Sequence, residues 1–185
     1  MEEFPEILQI VCKFLNNNGI QYVIVGGVAV MYHSVPRTTI DIDIILKIDD
    51  HLIPPFVDHL NSNGFRASVP DLRAGLNESS HTTFFFKDTL LRLDIQGVNS
   101  EFDQMTLDRA VEIDIFGTLV KMGSIEDTFV NKILFQGETD LRDALGIIAR
   151  HEEDLDWEYI RSTCDTLEIG NLLVDFLAYY DSLKS

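Results

Sequence analysis

Residues 22–46, YVIVGGVAVMYHSVPRTTIDIDIIL, decide the predicted fold, because one apolar run ends in two glycines and a second apolar run carries two aspartates. The β-branched residues 23–25 predict a buried strand. Gly26 and Gly27 follow where that strand would turn into a short helix. Glycines there let backbone N–H groups approach a phosphate closely, and the positive end of the helix dipole adds to the attraction. The first half of the stretch therefore predicts a nucleotide cradle.

The second half of the stretch, residues 39–46, predicts a strand with two carboxylates on one face. Side chains alternate in direction along a strand, so Asp41 and Asp43 point to the same side. Asp is disfavoured in strands, and neighbouring carboxylates repel each other unless a cation lies between them. Mg²⁺ prefers such oxygen ligands when phosphates complete its shell. The alternative is an edge strand whose aspartates face water, but the glycine pair upstream favours the metal site.

The glycine pair, the spacer and the strand DIDI at 41–44 resemble the signature of the nucleotidyltransferase superfamily that includes polymerase β. The fuller string, with Ala29 and residues 33–39 (HSVPRTT), is similar to the toxin-type branch of abortive-infection and toxin–antitoxin systems. This resemblance implies an α/β (α+β) fold, in which a small mixed sheet is flanked by helices and a helical C-terminal part follows the polymerase β-like core. It also implies three carboxylates that hold two Mg²⁺ ions.

The resemblance requires a third carboxylate on a later strand. Asp94 lies on the polar face of the alternating run 90–96 (LLRLDIQ), and residues 82–87 can pair with that run as a hairpin. Glu112 and Asp114, in the run 111–115, are competitors. We prefer Asp94, so the implied catalytic and metal-binding residues are Asp41, Asp43 and Asp94. For each of these candidates the alternative is a solvated strand face.

Nucleotidyl transfer explains why three carboxylates are needed. An acceptor oxygen attacks the α-phosphorus of a nucleoside triphosphate (NTP) while pyrophosphate leaves. One metal ion lowers the pKa of the acceptor, and the other neutralises charge on the triphosphate. A basic side chain over the leaving phosphates would stabilise the transition state further.

Lys132 is the main candidate for that basic group. Ser124 and Asp127 predict the start of its helix as in a capping box. The toxin-type relatives are similar here, with a lysine on such a helix and then an Asp-x-x-Asp helix, seen as Asp140 and Asp143. Whether those two aspartates belong to the site stays open, and the alternative for Lys132 is a lysine whose stem runs along the surface to solvent.

Four further residues complete the predicted nucleotide contacts. These are Gly26, Gly27, Arg37 and Thr39. Arg37 either contacts phosphate or pairs with Asp41. Several basic residues flank the site in sequence and predict a small basic mouth on an acidic body; they are Arg37, Arg73, Lys87, Arg92 and Lys132.

Composition and net charge indicate the class of protein, its expected partners and its expected location. The 185 residues, with 45% hydrophobic and 24% charged side chains, are typical of a globular protein. A protein with a net charge of −17 repels a DNA duplex, so we do not expect a duplex-DNA-binding role. No apolar run approaches the roughly 20 residues of a membrane span, and residues 1–5 lack the start of a signal peptide, so we expect a cytoplasmic protein without membrane contact. Cys12 and Cys164 predict neither a disulfide framework nor a zinc site.

The domain prediction assigns residues 1–123 to the catalytic core and residues 124–185 to a helical region packed on it. Residues 69–80 are expected to form a loop. The expected function is Mg²⁺-dependent transfer of a nucleoside monophosphate from an NTP to an acceptor hydroxyl. An RNA 3′ end is the expected acceptor, and a cognate antitoxin is the expected partner. The alternatives are a protein-AMPylating enzyme, a small-molecule nucleotidyltransferase and an inactive nucleotide-binding relative. The sequence does not select the NTP or the oligomeric state.

Overall fold

The computed structural model describes residues 3–34, 38–77 and 80–184, so Arg37 lies outside the described residues. The strands are β1 (Gln21–Val25), β2 (Asp41–Lys47), β3 (His81–Phe85), β4 (Arg92–Gln96), β5 (Val111–Ile115) and β6 (Thr118–Met122). The helices are α1 (Glu3–Asn17), α2 (Gly26–His33), α3 (Ile53–Ser62), α4 (Val69–Asn77), α5 (Glu101–Asp108), α6 (Ile125–Phe135), α7 (Glu138–His151), α8 (Trp157–Thr166) and α9 (Gly170–Lys184). Within these ranges no helix combines the length and the apolar character needed to cross a membrane.

The six strands form one mixed sheet in the order β3-β4-β2-β1-β6-β5. β2 runs parallel to β4 and antiparallel to β1. β1 is parallel to β6, and β5 pairs with β6 as an antiparallel hairpin. The predicted hairpin before Asp94 is present as β3 and β4. The prediction of a small mixed sheet flanked by helices is therefore confirmed.

The chain divides into two compact units. The first takes in the described residues up to Val28 and those from Thr38 to Gly123. The second takes in residues from Ala29 to Ser34 and from Ser124 to Lys184. Helix α2 begins in the first unit and ends in the second. The contacts thus assign the end of α2 to the C-terminal helices, whereas the sequence prediction gave all residues before Ser124 to the core.

The central strands of the sheet bury apolar side chains on both faces, and the aspartates of β2 interrupt one of those faces. Ile42 and Ile44 are 2% and 1% exposed, and they share their face with Tyr22, which contacts Cys12 of α1. On the opposite face, Ile45 packs with Val23 and with Leu107 of α5. Asp41 and Asp43 lie on this second face, because they alternate with Ile42 and Ile44 along β2.

Helix α6 of the second unit begins where the sequence predicts. The N–H of Asp127 donates to the Ser124 Oγ at 3.1 Å, so Ser124 caps α6. Tyr159 of α8 donates its hydroxyl to the Asp127 carboxylate. Further along α6, Phe129 packs edge-on against Trp157 and Phe176. A satisfied polar cap and an aromatic cluster therefore hold α6, α8 and α9 together.

The predicted loop at 69–80 is wrong, because residues 69–77 form α4. Ser68 accepts a hydrogen bond from the N–H of Asp71 at 3.2 Å, as a helix N-cap does. Pro70 fits a first helical turn, since that turn needs no N–H donor. Gly75 brings α4 close to β3: a Cβ there would lie 2.8 Å from the backbone nitrogen of Thr82. Close packing against β3 thus accompanies a helix whose sequence contains a proline and a glycine.

Both cysteines are buried in helices, Cys12 in α1 and Cys164 in α8. Burial raises the pKa of each thiol to about 11. A thiol with such a pKa is almost entirely protonated near neutral pH, and the thiolate is the reactive form. Each thiol reports on a different unit of the chain.

We expect neither thiol to react with an aromatic disulfide reagent at about pH 8 in the folded protein, and both to react in denaturant. Absorbance of the released thiol measures the reaction. Cys12→Ser and Cys164→Ser variants separate the two signals and show which unit opens first. Rapid stoichiometric labelling of the native protein would contradict this expectation.

Candidate functional site

The parallel ladder between β2 and β4 brings the predicted carboxylates together. The register places Asp43 directly opposite Asp94, and Asp41 directly opposite Arg92. Directly paired residues of neighbouring strands point to the same face of a sheet. Three carboxylates and one guanidinium therefore share one face of the first unit.

The competing carboxylates lie elsewhere in the sheet. Glu112 and Asp114 are exposed residues of β5, which is separated from β2 by β1 and β6. The Asp114 Oδ1 accepts the N–H of Gly117 at 3.0 Å, which closes the turn of the β5–β6 hairpin. The strand order thus places Asp94, and neither competitor, beside Asp41 and Asp43.

Arg92 joins two of the carboxylates. Its Nη2 lies 2.9 Å from Asp41 Oδ2, and its Nε lies 3.0 Å from Asp94 Oδ2. Thr39 donates its hydroxyl to Asp41 Oδ1, and Thr83 donates its hydroxyl to Asp94 Oδ1 at 2.6 Å. The pKa of the Arg92 guanidinium is raised above its usual value, chiefly by the hydrogen bond to Asp94. Both oxygens of Asp41 and of Asp94 are therefore engaged by this chain's own donors.

The sequence did not predict the role of these donors. Thr39 donates its hydroxyl to Asp41, and its expected contact with nucleotide stays a prediction. Arg92 was singled out only as a basic residue near the site, and Thr83 was not singled out. The signal that identifies both is the strand pairing, since Arg92 lies opposite Asp41 and Thr83 lies opposite Asp94.

The glycine turn adjoins the third carboxylate. Val25 pairs with Asp43, so Gly26 follows next to that aspartate. Gly26 has φ +62°, and a Cβ added to it would lie 2.1 Å from Asp43 Oδ2. Gly27 is buried in the first turn of α2. The start of α2 and the Asp43 carboxylate thus lie in direct contact, and only glycine leaves room for both.

Lys132 lies on α6 in the second unit, where its side chain is only 8% exposed. Its Nζ is 2.7 Å from Asp140 Oδ1 and 3.6 Å from Asp143 Oδ2. Asp140 also accepts the N–H of Gly137 at the start of α7. Two carboxylates therefore compensate the buried ammonium, as a buried charge requires. The predicted contact between Lys132 and nucleotide stays a prediction.

The other described members of the expected basic mouth, Arg73 and Lys87, are also ion-paired. Arg73 donates to Asp50 at 2.9 Å, and Lys87 donates to Glu6 at 2.8 Å. With Arg92 and Lys132, all four described members have a carboxylate partner. These four residues thus supply little uncompensated positive charge for a polyanion.

The carboxylate face has the oxygen chemistry that Mg²⁺ prefers, because three aspartates converge on it. As arranged here, no group of three or more His, Cys, Asp or Glu side chains among residues 3–34, 38–77 and 80–184 is placed to hold a metal ion. In this arrangement Arg92 donates to one oxygen of Asp41 and to one oxygen of Asp94. The three aspartates therefore fit the ion in the chemistry of their oxygens, and metal binding by them stays a prediction.

The chain belongs to the family described as "Nucleotidyltransferase of unknown function (DUF6036)", which matches residues 3–171. None of the curated proteins matches the chain.

Solved structures share the fold at low sequence identity. An antigenic nucleotidyltransferase-like protein from Paracoccidioides brasiliensis is 20% identical, with a TM-score of 0.66 over 99% of this chain and 91% of that chain. ANT(2″)-Ia, in complex with adenylyl-2″-tobramycin, is 18% identical, with a TM-score of 0.53 over 100% of both chains. The lincosamide antibiotic adenylyltransferase LnuA, lincomycin-bound, is 18% identical, with a TM-score of 0.52 over 79% of this chain and 94% of that chain.

Gly26→Ala should disrupt the site more than it disrupts the fold. The positive φ costs about 1–2 kcal/mol for a residue with a Cβ, and the new methyl group would also displace the Asp43 carboxylate. Gly19→Ala is the matched control, because Gly19 has φ +64° and open space around the added Cβ. Thermal unfolding should show similar losses for both variants, whereas nucleotide-dependent stabilisation should be lost only in Gly26→Ala. Equal nucleotide responses would remove Gly26 from the site.

Proposed function

We propose that this nucleotidyltransferase moves a nucleoside monophosphate from an NTP to an acceptor hydroxyl, with Mg²⁺ held by Asp41, Asp43 and Asp94. The observation that carries this proposal is the convergence of the three aspartates on one face, next to the glycine turn. Family membership and the shared fold support nucleotidyl transfer as the reaction.

Each part of the site has a chemical task in this proposal. Gly26 and Gly27 present backbone N–H groups at the start of α2 to the triphosphate. Thr39 and Thr83 hold the carboxylates of Asp41 and Asp94 in fixed orientations, as outer-sphere donors do around metal ligands. Bound Mg²⁺ would lower the pKa of the acceptor hydroxyl and neutralise charge on the leaving pyrophosphate.

Two further groups belong to the proposal. Lys132 would neutralise the leaving phosphates, and Arg37, outside the described residues, would contact the triphosphate. For Lys132 to act so, its ammonium must exchange Asp140 for a phosphate oxygen. Both acceptors are anionic oxygens, so the exchange keeps the charge compensated.

For the acceptor, the charge distribution favours a small-molecule hydroxyl. The net charge is −17, and the described basic residues of the expected mouth are ion-paired, so a polyanion gains little on approach. Two structures of the same fold carry ligands related to antibiotics, adenylyl-2″-tobramycin and lincomycin. An RNA 3′ end is the second candidate, because the toxin-type resemblance of residues 26–44 favours it. A basic antitoxin would then be the partner of the acidic C-terminal residues.

Label transfer tests the proposal directly. The protein is incubated with each α-labelled NTP, Mg²⁺ and cell lysate, and the small-molecule, RNA and protein fractions are counted separately. We expect label in the small-molecule fraction. Label in RNA 3′ ends would select the second candidate. Label on a protein band would make the chain a protein-modifying nucleotidyltransferase, an AMPylating one where the NTP is ATP. Absence of label from every fraction with every NTP would contradict nucleotidyl transfer.

Asp43→Asn should lower label transfer by at least about 100-fold, because changes in outer-sphere partners alone typically cost 10- to 100-fold. Asp114→Asn is the control, since its amide oxygen can still accept the Gly117 N–H and β5 lies at the far edge of the sheet. Circular dichroism of both variants checks the fold. Full activity of Asp43→Asn, or loss of activity in Asp114→Asn, would contradict the assignment.

Lys132→Met should reduce the rise in melting temperature that Mg²⁺ and NTP produce together, because ligand bound to the native state stabilises it. The ligand-free variant should itself be less stable, since Asp140 and Asp143 lose their counter-ion. The informative quantity is therefore the shift on adding ligand. Lys13→Met, at an exposed position on α1, is the control. The same shift in all three proteins would show that Lys132 does not contact nucleotide.

A further inference from the structure

One continuous polar network crosses the β2–β4 ladder. It runs from Thr39 through Asp41, Arg92 and Asp94 to Thr83. The side chains of Arg92, Asp41 and Asp94 are 31%, 27% and 11% exposed, so water screens their charges only in part. Their interactions should therefore be stronger than those of a fully exposed ion pair.

The backbone fixes Arg92 in this position. Arg92 is the strand neighbour of Asp41, and it lies two residues before Asp94 on the same face of β4. A guanidinium carries several N–H donors in a planar fork and can bridge two carboxylates at once. Without a cation, three aspartates on one face would repel one another. Arg92 thus supplies the charge compensation that the carboxylate face needs in the ligand-free protein.

The same oxygens are the ones a metal ion would use. Arg92 contacts Asp41 Oδ2 and Asp94 Oδ2, while the Thr39 and Thr83 hydroxyls contact the other two oxygens. A divalent cation among these carboxylates would lie within a few ångströms of the guanidinium and would be repelled by it. Both cations cannot occupy the centre of this face in the present arrangement.

We propose that Arg92 is a positioning residue that holds Asp41 and Asp94 together in the metal-free protein and must leave them when a divalent cation binds. This inference rests on the proposed function, because it takes the three aspartates as the metal ligands. It predicts opposite effects on two properties. Removal of Arg92 destabilises the metal-free protein and strengthens divalent-cation binding, whereas an arginine with a structural role alone would affect only stability.

The test compares Arg92→Met, Arg92→Lys and the wild type by calorimetric titration with Mn²⁺ and with Mg²⁺, each without nucleotide. Melting temperatures are measured in chelator and in saturating Mg²⁺. Arg66→Met is the matched control, since Arg66 also pairs with an aspartate, Asp88, but on the exposed surface.

In Arg92→Met we expect a lower melting temperature in chelator, partial recovery in Mg²⁺ and about tenfold tighter Mn²⁺ binding, as loss of competing charged hydrogen bonds implies. Arg92→Lys keeps the positive charge but cannot bridge both carboxylates, so its Mn²⁺ affinity should rise only about threefold. If Arg92→Met fails to fold, the comparison of Arg92→Lys with the wild type still tests the proposal. Arg66→Met should bind Mn²⁺ as the wild type does.

Equal or weaker Mn²⁺ binding in the Arg92 variants, with clear binding in the wild type, would overturn the role of Arg92 and leave the proposed metal site standing. Absence of Mn²⁺ and Mg²⁺ binding in every protein would overturn this inference, whereas the label-transfer test with NTP and Mg²⁺ decides the proposed function separately. Tighter binding in Arg66→Met as well would also overturn the inference, since a general change in net charge would then account for the gain.

Discussion

The parallel pairing of β2 with β4 is the constraint on which the rest of the site depends. It aligns Asp43 with Asp94 and Asp41 with Arg92. The apolar face of the same strands fixes this register, because Ile42 and Leu93 are also paired and are both buried. A shift of one residue would bury the charged side chains and expose the apolar ones. The hydrophobic face thus determines the geometry of the charged face.

Clustered carboxylates repel one another, and the protein offsets this repulsion with its own hydrogen-bond donors. Arg92, Thr39 and Thr83 engage the oxygens of Asp41 and Asp94. The buried ammonium of Lys132 in the second unit is likewise compensated, because Asp140 and Asp143 lie beside it. Polar groups that are compensated in this way can exchange partners when a ligand brings equivalent charges. In the proposed active arrangement, a metal ion therefore replaces the Arg92 guanidinium beside Asp41 and Asp94, and a phosphate replaces Asp140 beside Lys132.

Local features of this site were predictable from the sequence. The alternation in residues 39–46 predicted that Asp41 and Asp43 share a face, and the glycine pair predicted the turn into α2. Ser124 predicted the start of α6, and the hairpin of β3 and β4 followed from two alternating runs. Helix α4 was missed although Ser68 and Pro70 mark its start, because polar residues and a glycine within 69–80 are typical of loops.

The sequence by itself determined the directions of side chains within each strand, because alternation follows from backbone geometry over a few residues. It also determined the family signature, which the match over residues 3–171 supports. Only the tertiary structure decided which strands are neighbours. The strand order places Asp94 beside Asp43, Asp114 at the edge of the sheet and Arg92 beside Asp41. Strand order depends on burial of apolar surface summed over the whole sheet, so no short segment of sequence specifies it.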